Sequence, residues 1–265
     1  MSAPAATAPG PTRRHVDHVM GLPVSLALRG PHAADPDDPA AREAWSAVMT
    51  SLRGSDALLS TWREDSWVSR LDRGEVSLAQ CPPELAEVLA LGEDAARDSG
   101  GAFTLRLPDA AGRVRLDPTG VAKGWALDRA ARALEPLAGT DWCLSGGGDV
   151  LCRTRSRRTP LWRVGVEDPR DASRLLAVVP VGNGAVATSG TTHRGAHLLD
   201  GRTGRTARGV RQVTVVAPTL TEADVDATCA YALGPDALAW LRQRPGRSGL
   251  VIHDDGTTST FATPR

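Results

Sequence analysis

The stretch VTVVAPTLTEADVDATCAYALG, residues 213–234, decides the fold class. Its opening run VTVVAP (213–218) is apolar and rich in β-branched residues, which fits a buried strand. TEADVDATCAYALG (221–234) then reads as a helix, and Gly234 supplies the residue that ends one. Working outward, the other segments share this scale: short strands and helices separated by turns of antiparallel length. That interspersed order predicts an α+β fold in which mixed or antiparallel sheets carry packed helices.

Val19–Leu28 reads as a first strand. Residues 39–54 suit an amphipathic helix, with Trp45, Val48, Met49 and Leu52 on one stripe. Leu58–Trp62 reads as a short strand leading into a turn and a short helix. Pro82-Pro83 opens a helix over 83–98, which Ser99-Gly100-Gly101 ends. Strands are expected at 102–107 and 113–117. A further helix starts near Gly120, carries Lys123 in its first turn and stops before Pro136. Trp142–Ser145 runs into the tight turn Gly146-Gly147-Gly148-Asp149. Short strands follow at 161–167, 174–181, 185–188 and 196–200, and two more close the chain at 249–253 and 258–262. No composition shift marks a linker and no internal repeat is present. One domain is expected over 13–265, behind a disordered Ala/Pro-rich tail at 1–12.

Composition bounds the function. The 265 residues carry 31 basic and 31 acidic side chains, so no global field recruits nucleic acid or an anionic membrane. Seven Trp, two Phe and one Tyr are too few for base-stacking platforms. No apolar run reaches membrane-spanning length, and the first residues show no apolar signal core. Cys81, Cys143, Cys152 and Cys229 lack CxxC or zinc spacing and are expected to be reduced thiols. These features predict a cytoplasmic protein with neither nucleic-acid nor membrane partners.

Four constellations could carry chemistry. In the helix, Asp224 and Thr228 stand at i and i+4, so both project from one face and offer hard oxygen ligands suited to magnesium. Acids near a helix N-terminus also suit the macrodipole without any metal. In LDPTGVAKG (116–124), Gly120 frees backbone for close approach, and Lys123 is the only lysine in a chain whose other cations are arginine. A lysine at a positive helix end implies an anion nearby, or a stem that snorkels to solvent. SGGGDV (145–150) could cradle phosphate, yet it lacks both nucleotide-loop spacings and fits a plain hairpin equally well. AVATSGTTHRGAHLLDGRTGR (185–205) holds His193 and His197 beside Asp200 in small-residue surroundings. That composition suits a loop approaching a polar, phosphate-bearing ligand, and a histidine there can take a proton from a hydroxyl. Ser189 has no GxSxG elbow to make it a hydrolase nucleophile.

Taken in order, these motifs resemble a family. MGLPVSL (20–26), STWREDSWVSRLD (60–72), GAFTL (101–105), LDPTGVAKGWALD (116–128), SGGGDV, VGVEDP (164–169), AVATSG (185–190), HLLDGRTG (197–204) and ADVDAT (223–228) are similar to the ApbE family, the FAD:protein FMN transferases. The resemblance spans Met20 to the helix after Asp224. It implies a single α+β domain of T-fold-related architecture. The implied activity is magnesium-dependent: FAD is split, FMN passes to a Thr or Ser hydroxyl of an acceptor protein with an FMN-binding-type domain, and AMP is released.

Carried over position by position, the resemblance implies FAD contacts at Met20, Trp62, Ala102, Phe103, Thr104, Asp117, Lys123 and Leu199. It implies metal ligation by the Gly120 carbonyl, the Asp224 carboxylate and the Thr228 hydroxyl, with the Ala227 carbonyl close by. His197 matches the family histidine suited to proton abstraction, and Asp224 shares the catalytic role. Three departures stand out. Leu22 replaces a threonine, Gly201 replaces a proline and is expected to loosen the loop after His197, and Asp226 adds a carboxylate near the metal helix. Two other readings remain at this level: an FAD pyrophosphatase yielding FMN and AMP, and a non-catalytic flavin-binding module.

Overall fold

Alternating burial builds the molecule around one sheet. The computed structural model describes residues 12–109, 111–155, 159–190 and 198–265. Eight strands form the sheet: β1 (Thr12–Val19), β2 (Leu22–Arg29), β3 (Asp141–Gly146), β4 (Asp149–Arg153), β5 (Gly184–Gly190), β6 (Val210–Ala217), β7 (Ser248–His253) and β8 (Thr258–Ala262). They lie side by side in chain order, and every neighbouring pair is antiparallel.

Each strand sends alternate residues to opposite faces. In β5, Ala185 and Ala187 join the main core, whereas Val186 packs with Cys152, Val164 and Val181 on the other side. The main core belongs to helices, chiefly α1 (Pro39–Leu59), α2 (Pro83–Asp98), α3 (Thr119–Ala131) and α4 (Leu220–Leu233). The second face is covered by a β-hairpin made of Trp162–Asp168 and Asp171–Val181. Helix α4 is buried nearly all round because it lies against both the sheet and α3. Its alanines 223, 227 and 230, facing the alanines of β5, leave room for that approach. The reciprocal Thr219–Glu222 capping box starts it.

Several local expectations are corrected. Val19–Leu28 is not one strand: a two-residue turn, Met20 (φ 57) and Gly21 (φ 67), separates β1 from β2. Both residues are left-handed, the pairing a tight hairpin turn requires, and only one of them is glycine. The predicted strand at Leu58–Trp62 is absent, because α1 runs on to Leu59 and Ser60 caps it. Apolar residues at 58 and 59 continue the helical stripe, and that periodicity outweighs the local strand preference. Ala102–Thr104 is not strand either; the ribbon there is only Arg106–Pro108 with Val114–Leu116. Among the described residues, no helix is long and apolar enough to cross a membrane. All four cysteines are free thiols.

Candidate active site

Three pieces of backbone meet at one end of the sheet. The β1–β2 turn carries Met20. Beside it lies the Gly147-Gly148 turn between β3 and β4, whose Gly147 N–H donates to the Pro23 carbonyl at 3.1 Å. Gly147 (φ 59) and Gly148 (φ 95) adopt the left-handed conformation that a two-residue connection needs. Next along the sheet, β5 ends at Ser189-Gly190. The helical face of this end receives the first half of α3 and the middle of α4.

Asp149, the first residue of β4, points to the helix face. One carboxylate oxygen accepts from Thr188 N–H at 3.0 Å, and the other lies 2.5 Å from Lys123 Nζ. Lys123 also approaches Asp224 Oδ1 at 3.2 Å. The lysine sits in the second turn of α3, not the first as expected, and its anions are these two carboxylates. Burial works against its ammonium, yet Asp224 and Asp149 more than offset that and hold its pKa above the ordinary lysine range. Asp224 is 3% exposed. Burial pushes its carboxyl up to about 6, with Lys123 pulling it down and Asp149 adding to the rise. Its second oxygen accepts from Gly124 N–H at 2.9 Å.

One turn further along α4, Thr228 Oγ1 lies 3.2 Å from Ser189 Oγ. Gly120 is adjacent: a Cβ there would fall 3.3 Å from the Thr228 methyl and 2.6 Å from the Phe103 ring. The structure therefore brings Gly120, Lys123, Asp224 and Thr228 together, with Ala227 fully buried between the two ligand candidates in sequence. Phe103 joins them through Gly120. The 101–104 bend connects onward, since Gly201 N–H donates to the Ala102 carbonyl at 2.8 Å and Thr104 packs beside Gly201. Leu199 pairs with Thr206 in the short ribbon next to that contact.

Asp117 accepts from Thr119 N–H at 2.9 Å and lines a separate small cleft of about 190 Å³ with Thr61 and Arg115. Trp62, next to Thr61, is 94% exposed. His193 and His197 lie outside the described residues.

Two expectations change. Gly201 does not loosen its loop: its N–H is used, and a Cβ would meet the Gly101 carbonyl oxygen at 2.6 Å. Asp226 does not add charge to the cluster, because it turns away to Arg244 (3.1 Å) and Arg247 (2.7 Å). Sequence reasoning missed Asp149 and Asp128. Asp149 was hidden in a motif that equally fits a hairpin turn. Asp128 carries a legible signal, since an acid in the last turn of a helix opposes the macrodipole and needs another partner.

The donors are a carboxylate, a hydroxyl and a main-chain carbonyl, all hard oxygens, which suits magnesium better than a thiophilic metal. Among the described residues no group of three His, Cys, Asp or Glu gathers as a metal cluster, so such an ion would rely on the neutral oxygens beside Asp224.

This fold and site define an α+β protein built around one eight-stranded sheet, with an oxygen-lined acidic cluster at the sheet end. The chain belongs to the ApbE family, whose model matches residues 20–111 and 104–251. It is 30% identical over 170 residues to the FAD:protein FMN transferase of Escherichia coli K12, a match covering 60% of this chain and 47% of that protein. The chain thus matches about half the length of that relative. A protein of the same name from Salmonella typhimurium is 26% identical over 275 residues, covering 82% of this chain and 78% of its own. Among solved structures, the ApbE protein of Thermotoga maritima superposes with TM-score 0.80 at 22% identity, over 95% of this chain and 97% of that one. The flavin transferase ApbE of Vibrio cholerae gives 0.75 at 20% identity, over the same shares.

Proposed function

We propose that this chain is a magnesium-dependent FAD:protein FMN transferase. The observation that carries the reading is the placement of Asp224 and Thr228 one turn apart on α4, with Gly120 beside Thr228 and Lys123 against Asp224. Relatives named FAD:protein FMN transferase support the substrate class. Magnesium, when bound, supplies positive charge that neutralises the pyrophosphate oxygens of FAD.

The chain's own residues do the rest. Asp224, Thr228 and the Gly120 carbonyl would hold the ion. Lys123, kept protonated by its two carboxylates, presents a second positive charge to the phosphates. The bend at Ala102, Phe103 and Thr104, with Leu199, Met20, Asp117 and Trp62, contacts the dinucleotide. His197 accepts the proton of the incoming Thr or Ser hydroxyl as its oxygen bonds to the FMN phosphorus. The bond from that phosphorus to the AMP oxygen breaks, and AMP leaves. Such catalysis is mainly positioning and charge neutralisation.

The test is incubation with FAD and Mg²⁺, with and without an FMN-binding acceptor domain. Covalent flavin on the acceptor with stoichiometric AMP is the expected result. Free FMN in equal amount with and without acceptor would identify an FAD pyrophosphatase. No product from FAD in either arm would leave a binding module.

A further inference from the structure

Helices α3 and α4 are fastened to each other by two reciprocal carboxylate contacts. Asp128, in the last turn of α3, accepts from Leu220 N–H at 2.9 Å, from Thr221 N–H at 2.7 Å and from Thr221 Oγ1 at 2.6 Å. These are N-terminal groups of α4, and the two amides have no partner within their own helix. Asp224 of α4 returns the contact by accepting from Gly124 N–H of α3 at 2.9 Å. Positions 124 and 128 are one turn apart on α3, as 220 and 224 are on α4, so the contacts run as an antiparallel ladder with two rungs.

The space between the rungs is closed. A Cβ on Gly124 would sit 2.7 Å from the Leu220 carbonyl oxygen and 2.9 Å from Asp224 Cβ. The helices therefore touch backbone to backbone, and neither can slide without breaking a charge-assisted hydrogen bond. Gly124 N–H is also the donor that an uninterrupted helix would direct at the Gly120 carbonyl. Asp224 therefore bonds to the same turn of α3 that carries the Gly120 carbonyl.

Resting on the proposed metal-dependent reading, we infer that Asp128 is a positioning residue for the magnesium site: it fixes the register of α4 on α3, and so sets Asp224 and Thr228 against the Gly120 carbonyl. Asp128 itself touches neither metal nor substrate. Residues that orient metal ligands at one remove typically change metal affinity about 10- to 100-fold when removed.

The test compares wild type with Asp128→Asn, Asp128→Glu and Thr221→Ala. Mn²⁺ binding to the FAD-free protein is followed through the paramagnetic signal of the free ion. Turnover is titrated with Mg²⁺ at saturating FAD. In D128N the Mn²⁺ dissociation constant and the half-activating Mg²⁺ concentration are expected to rise at least about tenfold. Turnover at saturating Mg²⁺ should stay within about threefold of wild type, with D128E between the two. T221A, which removes only the hydroxyl bond of the Asp128 rung, should weaken Mn²⁺ by a smaller factor.

A purely structural role would lower thermal stability while leaving Mn²⁺ affinity unchanged in folded D128N and T221A, and that result overturns the inference. Failure of wild type itself to bind Mn²⁺ would instead overturn the metal-dependent reading. If D128N does not fold, T221A and D128E decide, and unchanged Mn²⁺ affinity in both overturns the inference.

Discussion

Lys123 and Asp149 meet at 2.5 Å, one from the second turn of α3 and the other from the first position of β4. The contact ties a helix to the strand that follows a glycine turn, across the end of the sheet. Asp149→Asn leaves Lys123 still paired with Asp224, so the loss is that of a charge-assisted hydrogen bond and not of the lysine's only counter-charge. It should lower stability by about 1.5–3 kcal/mol. The midpoint of urea unfolding measures it. An unmoved midpoint would show that the pair contributes nothing. Lys123→Arg should not substitute, since a planar fork cannot sit as a point charge between two carboxylates.

Asp72 gives the pH dependence. Burial opposes its charged form, but Arg115 and the Leu116 N–H outweigh burial and hold the carboxyl below its ordinary value. Its folded pKa is depressed, so its stabilisation is present above the ordinary carboxylate value and is lost as pH falls through the folded one. Asp72→Asn should cost about 1–3 kcal/mol near neutrality. The gap between variant and wild type should shrink on acidification. Denaturant titrations at about pH 7 and about pH 3 check this, and a gap that widened in acid would contradict the sign.

Gly120→Ala places a methyl 2.6 Å from the Phe103 ring and 3.3 Å from the Thr228 methyl. Room must come from the 103 side chain or from α4. The substitution should cost about 1–3 kcal/mol. It should also lower FAD turnover more than Gly74→Ala, whose Cβ meets nothing within 4 Å although its φ of 73 strains any side chain. Steady-state kinetics beside thermal melts separates the two effects. Equal turnover in both variants would remove Gly120 from the site.

Gly201→Pro removes the N–H that bonds the Ala102 carbonyl and crowds Thr104. The prediction for this backbone is destabilisation by about 1–3 kcal/mol. Amide exchange at residues 101–105 should quicken in the variant. A more stable variant would mean that the loop re-forms around the ring.

Sequence carried the chemistry of the site further than its local geometry. Asp224 and Thr228 were legible because helical periodicity alone puts i and i+4 on one face, and the capped α4 obeys it. The single lysine stood out by composition, but its partner Asp149 did not, because Asp149 reaches it only after the chain has turned at Gly147-Gly148. Strand order was equally out of reach: β2 pairs with β3 across more than a hundred residues. Local errors came where one preference outweighed another. Leu58 and Leu59 have strand-forming neighbours, yet they continue the buried stripe of α1. Met20 hid a hairpin, because a left-handed methionine leaves no mark in the sequence beyond the glycine after it.

The chain-order sheet has one more implication. Because each strand neighbours its predecessor, the links alternate strictly between the two rims. One rim takes the three long excursions 30–140, 154–183 and 218–247, which hold all the helices among the described residues and the covering hairpin. The opposite rim, where Asp149 and Ser189 sit, has only the turns at 20–21, 147–148 and 254–257 and the link 191–209. Insertions on the first rim can lengthen or shrink without rethreading anything. The working rim can then stay fixed while the remainder of the protein diverges, provided α3 and α4 still arrive at it in step.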